Sequence, residues 1–366
     1  MQQDAQAFAR AVNKELKGEV VIVASDLVVP RRYTSGSLAF DVMLGGGWPG
    51  NQWAEVLGKE QMGKTLVVLK TIAANQRLDK DFSVFWVAAE YYDTLQAEAM
   101  GVDNSRVHLA TTRRTEVALQ VLLEALSSKS YDMLVLDSWA ALLPAAEEEK
   151  SMSEATMSEG ARLFNRFWRN AGEAGARAFD GSERPFLGVV INQWRDTIGG
   201  FRPVRTSPGG HGKDYAYYTR VDLGRDEWIT VTRPNFEKPV KVGQVIAATT
   251  IKNKAAAPQQ VCKIDAYFRD APELGHRRGQ YDLGNDYVNM GILYEVIEKR
   301  GGHYYFGGEH WVGKDAVKEQ IRADKGMQEA LRAEVLEVIR NPHLAGTITP
   351  EQVTAAENSG RKRVRK

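Results

Sequence analysis

A phosphate-binding loop is the strongest chemical signal in this chain. Residues 58–65 read Gly-Lys-Glu-Gln-Met-Gly-Lys-Thr, which matches the pattern G-x-x-x-x-G-K-[ST]. The glycines let the backbone wrap until amide groups and the start of the next helix point at phosphate oxygens. Lys64 would reach the outer phosphates, and the Thr65 hydroxyl would ligate Mg²⁺. The predicted nucleotide contacts of this loop are Gly58, Lys59, Glu60, Gln61, Met62, Gly63, Lys64 and Thr65.

Two acidic residues that end apolar runs are candidates for the metal site and the catalytic base. Asp137 follows the run 133–136, and a carboxylate at a strand end holds Mg²⁺ through water in folds with this loop. Glu90 follows the run 85–89 and is a candidate general base for the water that attacks the γ-phosphate. Taken alone, a strand-end Asp is more often a helix cap or turn. A strand-end Glu is usually a solvated residue.

The elements that must position these residues alternate from Gln52 onward. Apolar, β-rich runs occur at Trp53 to Leu57, Val84 to Ala88, Met133 to Leu136 and Phe186 to Ile191. Such runs suit parallel strands covered on both faces, so the pattern predicts an α/β fold. Helices are predicted between them at Thr65 to Gln76, Glu116 to Leu126 and Ser158 to Ala174. Later runs at Arg220 to Leu223, Val245 to Lys252 and Val261 to Tyr267 are predicted to extend the sheet antiparallel.

The chain divides into four predicted segments. They are an N-terminal helix and linker (1–33), the core with the phosphate-binding loop (34–275), a small C-terminal α+β domain (276–345) and a basic tail (346–366). In the first segment Phe8, Val12 and Leu16 share one helix face, which either packs within the domain or docks on a neighbouring subunit. C-terminal helices are predicted near Tyr287 to Lys299, Lys314 to Ala323 and Met327 to Ile339.

Composition excludes several classes of protein. With 43% hydrophobic and 26% charged residues the chain can bury a core, and its apolar stretches fall short of the ~18 residues of a membrane span. The N-terminus lacks the apolar region of a signal peptide, and Cys262 is the single cysteine, so a reducing cytoplasm is expected. The six histidines show no metal-ligand spacing. The net charge of +1 conceals a tail, 360–366, of +5 on a mildly acidic body.

Several blocks follow one another in an order that resembles the RecA-type recombinases. They are Thr34-Ser-Gly-Ser-Leu-Ala-Phe-Asp41, the phosphate-binding loop, Ala89-Glu90, Gly101-Val-Asp103, Asp137-Ser138-Trp-Ala-Ala-Leu, Ile191-Asn-Gln193, Gly209-Gly210, Lys252-Asn-Lys254 and Ala256-Ala-Pro258. The resemblance covers about residues 5 to 340. It implies a RecA-like P-loop ATPase core with a mainly parallel central sheet, an N-terminal helix and a small C-terminal α+β domain. A closed-ring helicase with a similar core is not expected to carry all of these blocks.

The resemblance also assigns roles at the nucleotide. Glu90 would activate the attacking water, and Gln193 would sense the γ-phosphate at the start of a DNA-binding loop. Lys252 and Lys254 would reach the nucleotide of the adjacent subunit, as an arginine finger does. Without the family, two lysines at a strand end indicate only a solvated face. Asp93 matches a family acid at the nucleotide.

Two DNA-binding loops are implied by the same resemblance. The first spans about residues 148–157 and is followed by a helix with Arg162 and Arg169, seven residues apart and so on one face. These arginines would meet phosphates, or else pair with nearby glutamates (147–149, 159). The second loop, 194–210, has too few apolar residues to pack independently and would order on DNA. The predicted DNA contacts are Met157, Arg162, Arg169, Arg195, Ile198, Phe201, Gly209, Gly210 and His211, of which Met157 and Ile198 match wedges between nucleotide triplets.

The chain also departs from the family pattern. The turn Tyr91-Tyr92-Asp93 is one residue shorter than in bacterial relatives, and Gln96 stands where the adenine-stacking tyrosine is expected. This leaves Tyr91 or Tyr92 as a substitute stack. His211 replaces an asparagine, and the tail is basic where many bacterial members are acidic. These differences suggest a divergent member of bacterial or phage origin.

The sequence thus predicts an ATP-dependent DNA recombinase that forms filaments on single-stranded DNA and exchanges strands with homologous duplex DNA. ATP and Mg²⁺ are the expected cofactors. The expected partners are both DNA forms, further copies of the chain, and single-strand-binding and loader proteins, in a bacterial or phage-host cytoplasm. A hexameric helicase or motor and a non-catalytic accessory filament are the alternatives. Glu90, Gln193, Lys252 and Lys254 argue against the accessory filament, since a scaffold does not need them.

Overall fold

The computed structural model describes residues 2–18, 20–24, 31–145, 158–176, 184–196, 205–210, 212–234 and 236–341. The α-helices within these ranges are α1 (Gln2–Leu16), α2 (Leu38–Met43), α3 (Lys64–Leu78), α4 (Thr94–Ala99), α5 (Thr115–Ser128), α6 (Ser158–Ala176), α7 (Gly212–Ala216), α8 (Leu283–Leu293), α9 (Lys314–Ala323) and α10 (Lys325–Arg340). The strands are β1 (Arg32–Tyr33), β2 (Trp48–Pro49), β3 (Gln52–Gly58), β4 (Val84–Ala88), β5 (Val107–Thr111), β6 (Met133–Asp137), β7 (Leu187–Ile191), β8 (Arg195–Asp196), β9 (Arg205–Thr206), β10 (Thr219–Val231), β11 (Val240–Asn253), β12 (Val261–Tyr267), β13 (Glu298–Arg300), β14 (His303–Phe306) and β15 (Glu309–Val312).

A large, mostly parallel sheet confirms the predicted fold class. Its order is β12-β11-β10-β3-β7-β6-β4-β5. All neighbours from β10 to β5 run parallel, and β11 runs antiparallel to both β10 and β12. The prediction that all three late strands extend the sheet antiparallel is therefore wrong for β10, which pairs with β3 in parallel. The long connection from β7 to β10, which includes α7, allows the crossover that a parallel pair requires.

The strands form a layer between two apolar cores because alternate side chains point to opposite faces. On one face Val56 and Val84 pack with Ile72 of α3. On the other face Leu134 packs with helices α5 and α6, in a cluster that includes Phe164. Strand β5 was not predicted, because it lies at the sheet edge and exposes three of its five residues. Edge strands lack the continuous apolar run that reveals the central ones.

The C-terminal part combines three helices with the antiparallel sheet β13-β14-β15. Helix α9 has the predicted bounds, and α10 contains the predicted helix at 327–339. The bounds predicted for the first C-terminal helix, 287–299, are wrong, because α8 spans Leu283–Leu293 and Glu298–Arg300 is a strand. Asp282 sets the true start, since its carboxylate accepts the Asn285 N–H at 3.0 Å.

A buried carboxylate connects the C-terminal part to the core through hydrogen bonds. Asp286 accepts hydrogen bonds from the N–H groups of Leu38, at 2.7 Å, and Ala39, at 2.9 Å, at the start of α2. Burial raises the pKa of Asp286 to about 7. Arg332 of α10 pairs with buried Asp41 of α2. These contacts join the two parts, and the predicted domain boundaries remain a prediction.

A helix is present in the predicted N-terminal segment, at Gln2–Leu16. Two of the three apolar side chains on its predicted face are exposed, Phe8 at 64% and Leu16 at 57%, and Val12 between them is half-buried. Large exposed apolar patches are typical of protein contact surfaces, and docking of this helix on a neighbouring subunit stays a prediction. Among the described residues no helix is both long and apolar enough to cross a membrane.

Candidate nucleotide site and DNA-loop anchors

Four parallel strands present their carboxyl ends at one edge of the central sheet. In the strand order β3, β7, β6 and β4, this edge carries the phosphate-binding loop after β3, Gln193 after β7, Asp137 as the last residue of β6 and Glu90 after β4. With strands ~4.8 Å apart, the four lie within about 15 Å. Open α/β sheets bind ligands at this edge. The structure therefore brings together four groups of residues that the sequence singled out.

The phosphate-binding loop takes its shape from two glycines. Gly58 has φ +154°, and a Cβ there would lie 2.7 Å from the carbonyl oxygen of Leu223. Gly63 has φ +92°, and a Cβ there would lie 2.8 Å from the Ile246 side chain. A larger residue at either position would have to displace its neighbour. Of the other loop residues, Lys59, Glu60 and Gln61 are exposed and Met62 is half-buried against the core.

Charged groups lie close together behind the loop. Lys64 is buried and donates to two loop carbonyl oxygens, at 3.1 and 2.7 Å, and burial lowers its pKa against the opposing charge of Asp137 and Glu90. The Thr65 hydroxyl donates to Asp137 Oδ2 at 3.2 Å. Burial, followed by the charge of Glu90, raises the pKa of Asp137 to about 7. A buried carboxylate beside a hydroxyl supplies hard oxygen donors, which fit Mg²⁺.

Glu90 is exposed just beyond the end of β4. The N–H groups of Ala89 and Glu90 donate to the carbonyl oxygen of Asp137 at 2.9 and 3.0 Å, which ties this strand end to β6. The Ser138 hydroxyl donates to Glu90 Oε1. The carboxylate is thus both oriented and accessible, as a general base must be. Sequence reasoning gave Ser138 no role, and its position directly after Asp137 was the available signal.

The structure distinguishes the two tyrosines after Glu90. The Tyr92 hydroxyl donates to Asn104 Oδ1 at 2.9 Å, and its ring packs edge-on against Trp86 at 5.2 Å. Tyr91 is 90% exposed. An aromatic side chain that is held in this way cannot turn to a ligand without losing its packing. Tyr91 is therefore the better candidate to stack on a base.

Asp93 caps helix α4. Its carboxylate accepts the backbone N–H of Gln96 at 3.0 Å, and its backbone is extended as an N-cap requires. The Gln96 side chain is half-buried on the same helix. The contact of Asp93 with the nucleotide remains a prediction beside this structural role.

The two predicted inter-subunit lysines lie far along the sheet from the phosphate-binding loop of the same chain. Lys252 is directly opposite Arg220 near the start of β10, and the Lys254 N–H donates to the Tyr218 carbonyl oxygen one step further. Tyr218 in turn bonds to Trp53 at the start of β3. At ~3.3 Å per residue, Lys254 lies about 16 Å from Gly58 along the strand direction.

Hydrogen bonds and a short strand pair form the stem of the second loop. Asn192 is buried after β7, and its Oδ1 accepts the Gln193 N–H at 2.9 Å. Strand β8 pairs with β9, which places Arg195 opposite Thr206 in a short ribbon. Gln193 is half-buried and Arg195 is exposed. The loop therefore leaves the sheet beside the predicted γ-phosphate sensor.

The return end of the second loop packs on helix α6. A Cβ at Gly209 (φ +112°) would lie 2.8 Å from the Phe164 ring, and one at Gly210 (φ +69°) would lie 3.2 Å from Ala161. These glycines allow close contact between backbone and helix. They connect the second loop to the helix that follows the first.

Helix α6 exposes three arginines. Arg162 and Arg169 are both exposed, as a phosphate contact requires, and Arg166 lies between them. The spacing i, i+4, i+7 puts all three on one face. Sequence reasoning missed Arg166, although the same periodicity identifies it.

Several predicted contacts lie outside the described residues. They are Met157, Ile198, Phe201 and His211, together with the first loop and the basic tail. The glutamates at 147–149 lie outside the described residues too, and Glu159 lies in the first turn of α6.

One protein family and several of its bacterial members match most of this chain. The RecA N-terminal domain family matches residues 7–271. A Protein RecA of Porphyromonas gingivalis is 28% identical over 313 residues, which cover 84% of this chain and 85% of the relative. A Protein RecA of Lactobacillus delbrueckii subsp. bulgaricus is 29% identical over 311 residues, covering 84% and 87%. That of Macrococcus caseolyticus is 29% identical over 301 residues, covering 81% and 79%.

Proposed function

We propose a mechanism for this chain, which belongs to the RecA family and is a recombinase of the RecA type. Recombination and repair of DNA fit this family, whose membership implies nucleotide binding with Mg²⁺ and DNA-dependent ATP hydrolysis. In the proposed mechanism the chain polymerises on single-stranded DNA in its ATP-bound form. The filament then pairs the bound strand with homologous duplex DNA and exchanges strands, and hydrolysis permits release.

The hydrolysis step uses the side chains at the carboxyl edge of the sheet. Amide groups of the phosphate-binding loop and Lys64 hold the β- and γ-phosphates. Glu90, oriented by the Ser138 hydroxyl, accepts the proton of the attacking water. Thr65 and Asp137 would hold Mg²⁺, Asp137 through water, and the ion would neutralise charge on the phosphates. Tyr91 would stack on the base, and Asp93 would contact the nucleotide from the end of α4.

The observation that carries the proposal is the separation between Lys252, Lys254 and the phosphate-binding loop of their own chain. Lys252 lies opposite Arg220, and Lys254 lies near the start of β3, whereas the loop follows its end. Two cations so placed can complete a phosphate site only in a neighbouring copy. Hydrolysis would then require an assembled filament, because a cation supplied across an interface stabilises the charge of the transition state. The exposed apolar face of α1 is the proposed subunit-docking surface.

DNA binding would involve both loops and the helix between them. Arg162 and Arg169 on α6 and Arg195 at the base of the second loop would contact phosphates. Ile198 and Met157 would insert between nucleotide triplets, and Phe201, Gly209, Gly210 and His211 would complete the surface. Gln193 would transmit the presence of the γ-phosphate to this loop. Single-strand-binding and loader proteins are proposed partners, in a cytoplasmic setting.

Assembly can be tested by measuring ATP hydrolysis against protein concentration, with and without single-stranded DNA, alongside electron microscopy. The proposal expects hydrolysis to rise cooperatively with filament formation. A rate per subunit that does not depend on DNA or on protein concentration would contradict it. Directional unwinding of a forked duplex without homology would favour a helicase.

A further inference from the structure

A buried carboxylate outside the predicted nucleotide contacts connects the two ends of the second loop. Glu55 lies in the middle of β3 and is 0% exposed. Its Oε1 accepts from Asn192 Nδ2 at 2.8 Å, and the same amide donates to the carbonyl oxygen of Pro208 at 3.0 Å. Asn192 lies two residues before the loop (194–210), and Pro208 lies two residues before its end. Glu55 therefore contacts the entry of the loop directly and its exit through one amide group.

Arg220 extends this contact across the sheet. It lies on β10 directly between Glu55 of β3 and Lys252 of β11. Its Nε pairs with Glu55 Oε2 at 2.6 Å, and its Nη1 pairs with Asp214 Oδ1 at 2.8 Å. Its Nη2 donates to the Ser207 hydroxyl at 3.2 Å. One planar guanidinium thus joins a buried anion, a partly exposed anion and the exit of the loop through three separate nitrogens, whereas a lysine offers only one ammonium nitrogen.

The same cluster reaches the inter-subunit lysine. Lys252 Nζ donates to the backbone carbonyl oxygen of Asp214, the residue whose carboxylate holds Arg220. Lys213 is 3% exposed and donates to the Ser207 hydroxyl and to the Pro208 carbonyl oxygen. The exit of the loop, Asn192 at the end of β7 and Lys252 are therefore linked through one chain of polar contacts.

We propose that Arg220, held between Glu55 and Asp214, is a positioning residue that couples the second DNA loop to Gln193 and Lys252. This inference rests on the proposed function. When DNA binds the loop, residues 207–208 move, and this movement changes their contacts with Arg220 and Asn192. Both of these side chains also contact Glu55. Asp214 moves with Arg220, and this changes the hydrogen bond from Lys252 Nζ to the Asp214 carbonyl oxygen within the same subunit. Lys252 then becomes available to the neighbouring nucleotide.

The test compares three variants. D214N removes the carboxylate that pairs with Arg220, and the fold should tolerate this change because the Asp214 side chain is 43% exposed. R220K keeps the positive charge but loses the planar guanidinium and its separate donor nitrogens. E273Q is the matched control, since it breaks a similar ion pair near the far end of β10. In that pair Arg233 Nε lies 2.8 Å from Glu273 Oε1, and the Glu273 side chain is 40% exposed. The readouts are hydrolysis with and without single-stranded DNA, DNA affinity and thermal unfolding.

The expected result separates coupling from folding. D214N and R220K should keep basal hydrolysis and DNA affinity within about twofold, while DNA stimulation of kcat falls about 2- to 30-fold, the range for residues in coupling networks. E273Q should match wild type. Normal stimulation in both variants, an equal loss in E273Q, or a loss that only follows the unfolded fraction would overturn the inference and leave the proposed function standing. A wild-type protein without DNA stimulation would overturn both.

Discussion

The phosphate edge and the second DNA loop are neighbours on one sheet, yet they are built differently. At the edge, Lys64, Asp137 and Glu90 leave directly from the ends of strands or the start of a helix, and hydrogen bonds fix the adjoining backbone. At the loop, the described contacts are confined to the stem, with the β8–β9 ribbon on one side and Gly209–Gly210 against α6 on the other.

The difference shows where each kind of chemistry can be placed. Phosphate transfer needs groups held within a fraction of an ångström, which strand ends provide. DNA recognition uses a loop with few apolar residues, whose ordering depends on the ligand. Substitutions at the edge should therefore abolish turnover, whereas substitutions in the loop should affect steps that involve DNA.

The largest effect is expected at Glu90. Glu90→Gln should bind ATP normally yet hydrolyse it about 10²- to 10⁴-fold more slowly, because the amide cannot accept the proton of water. Lys64→Ala should abolish ATP-dependent strand exchange. Single-turnover hydrolysis on single-stranded DNA measures the first effect, with Glu98→Gln on α4 as control. A wild-type rate in Glu90→Gln would show that the general base is elsewhere.

A comparable loss is expected when both Lys252 and Lys254 become alanine. The double variant should bind nucleotide but lose DNA-stimulated hydrolysis by about 10²-fold or more, since no cation reaches the neighbouring phosphates. Mixing it with Lys64→Ala tests action between subunits, because some interfaces then pair an intact loop with intact lysines. Absence of recovered hydrolysis in co-assembled filaments would contradict this role.

Tyr91 should have an intermediate effect. Tyr91→Ala should weaken ATP binding about tenfold, within the range for loss of stacking on one base, while Tyr91→Phe keeps the ring and the affinity. Tyr92→Phe is the matched control, because it loses only the hydrogen bond to Asn104. Nucleotide titrations of the three variants measure the effect. Equal affinities for wild type and Tyr91→Ala would remove Tyr91 from the site.

In the second loop, Ile198→Ala should reduce homologous pairing several-fold and change DNA affinity little. The apolar wedge is lost while the phosphate contacts that dominate affinity remain. Joint-molecule yield and DNA titration, measured on the same preparation, separate the two. A normal yield of joint molecules would refute the wedge.

The basic tail should have the smallest effect. Deleting residues 360–366 removes five positive charges and should lower the slope of log affinity against log salt by about one or two, and by at most ~3.5 for full engagement with single-stranded DNA. The loss should be even across DNA sequences and should not enhance duplex capture. Superimposable slopes for full-length and truncated protein would show that the tail is only solvated.

Sequence patterns predicted the parallel strands and the phosphate edge because those features depend on local order. An apolar run that ends in Asp137, or a glycine loop before Lys64, carries its own signal. The direction of β10 and the position of β5 were missed, since both depend on tertiary pairing. The contacts of Glu55 with Asn192 and Arg220 span 137 and 165 residues, so no local pattern could reveal them. The choice between Tyr91 and Tyr92 likewise required their neighbours.

The most direct test of the account is a strand-pairing assay with homologous and heterologous duplexes, with ATP present or omitted. Single-stranded DNA is first coated with the protein, and joint molecules are then counted after each duplex is added. Joint molecules are expected only with the homologous duplex and only with ATP. Active hydrolysis without pairing, or equal products from both duplexes, would contradict it.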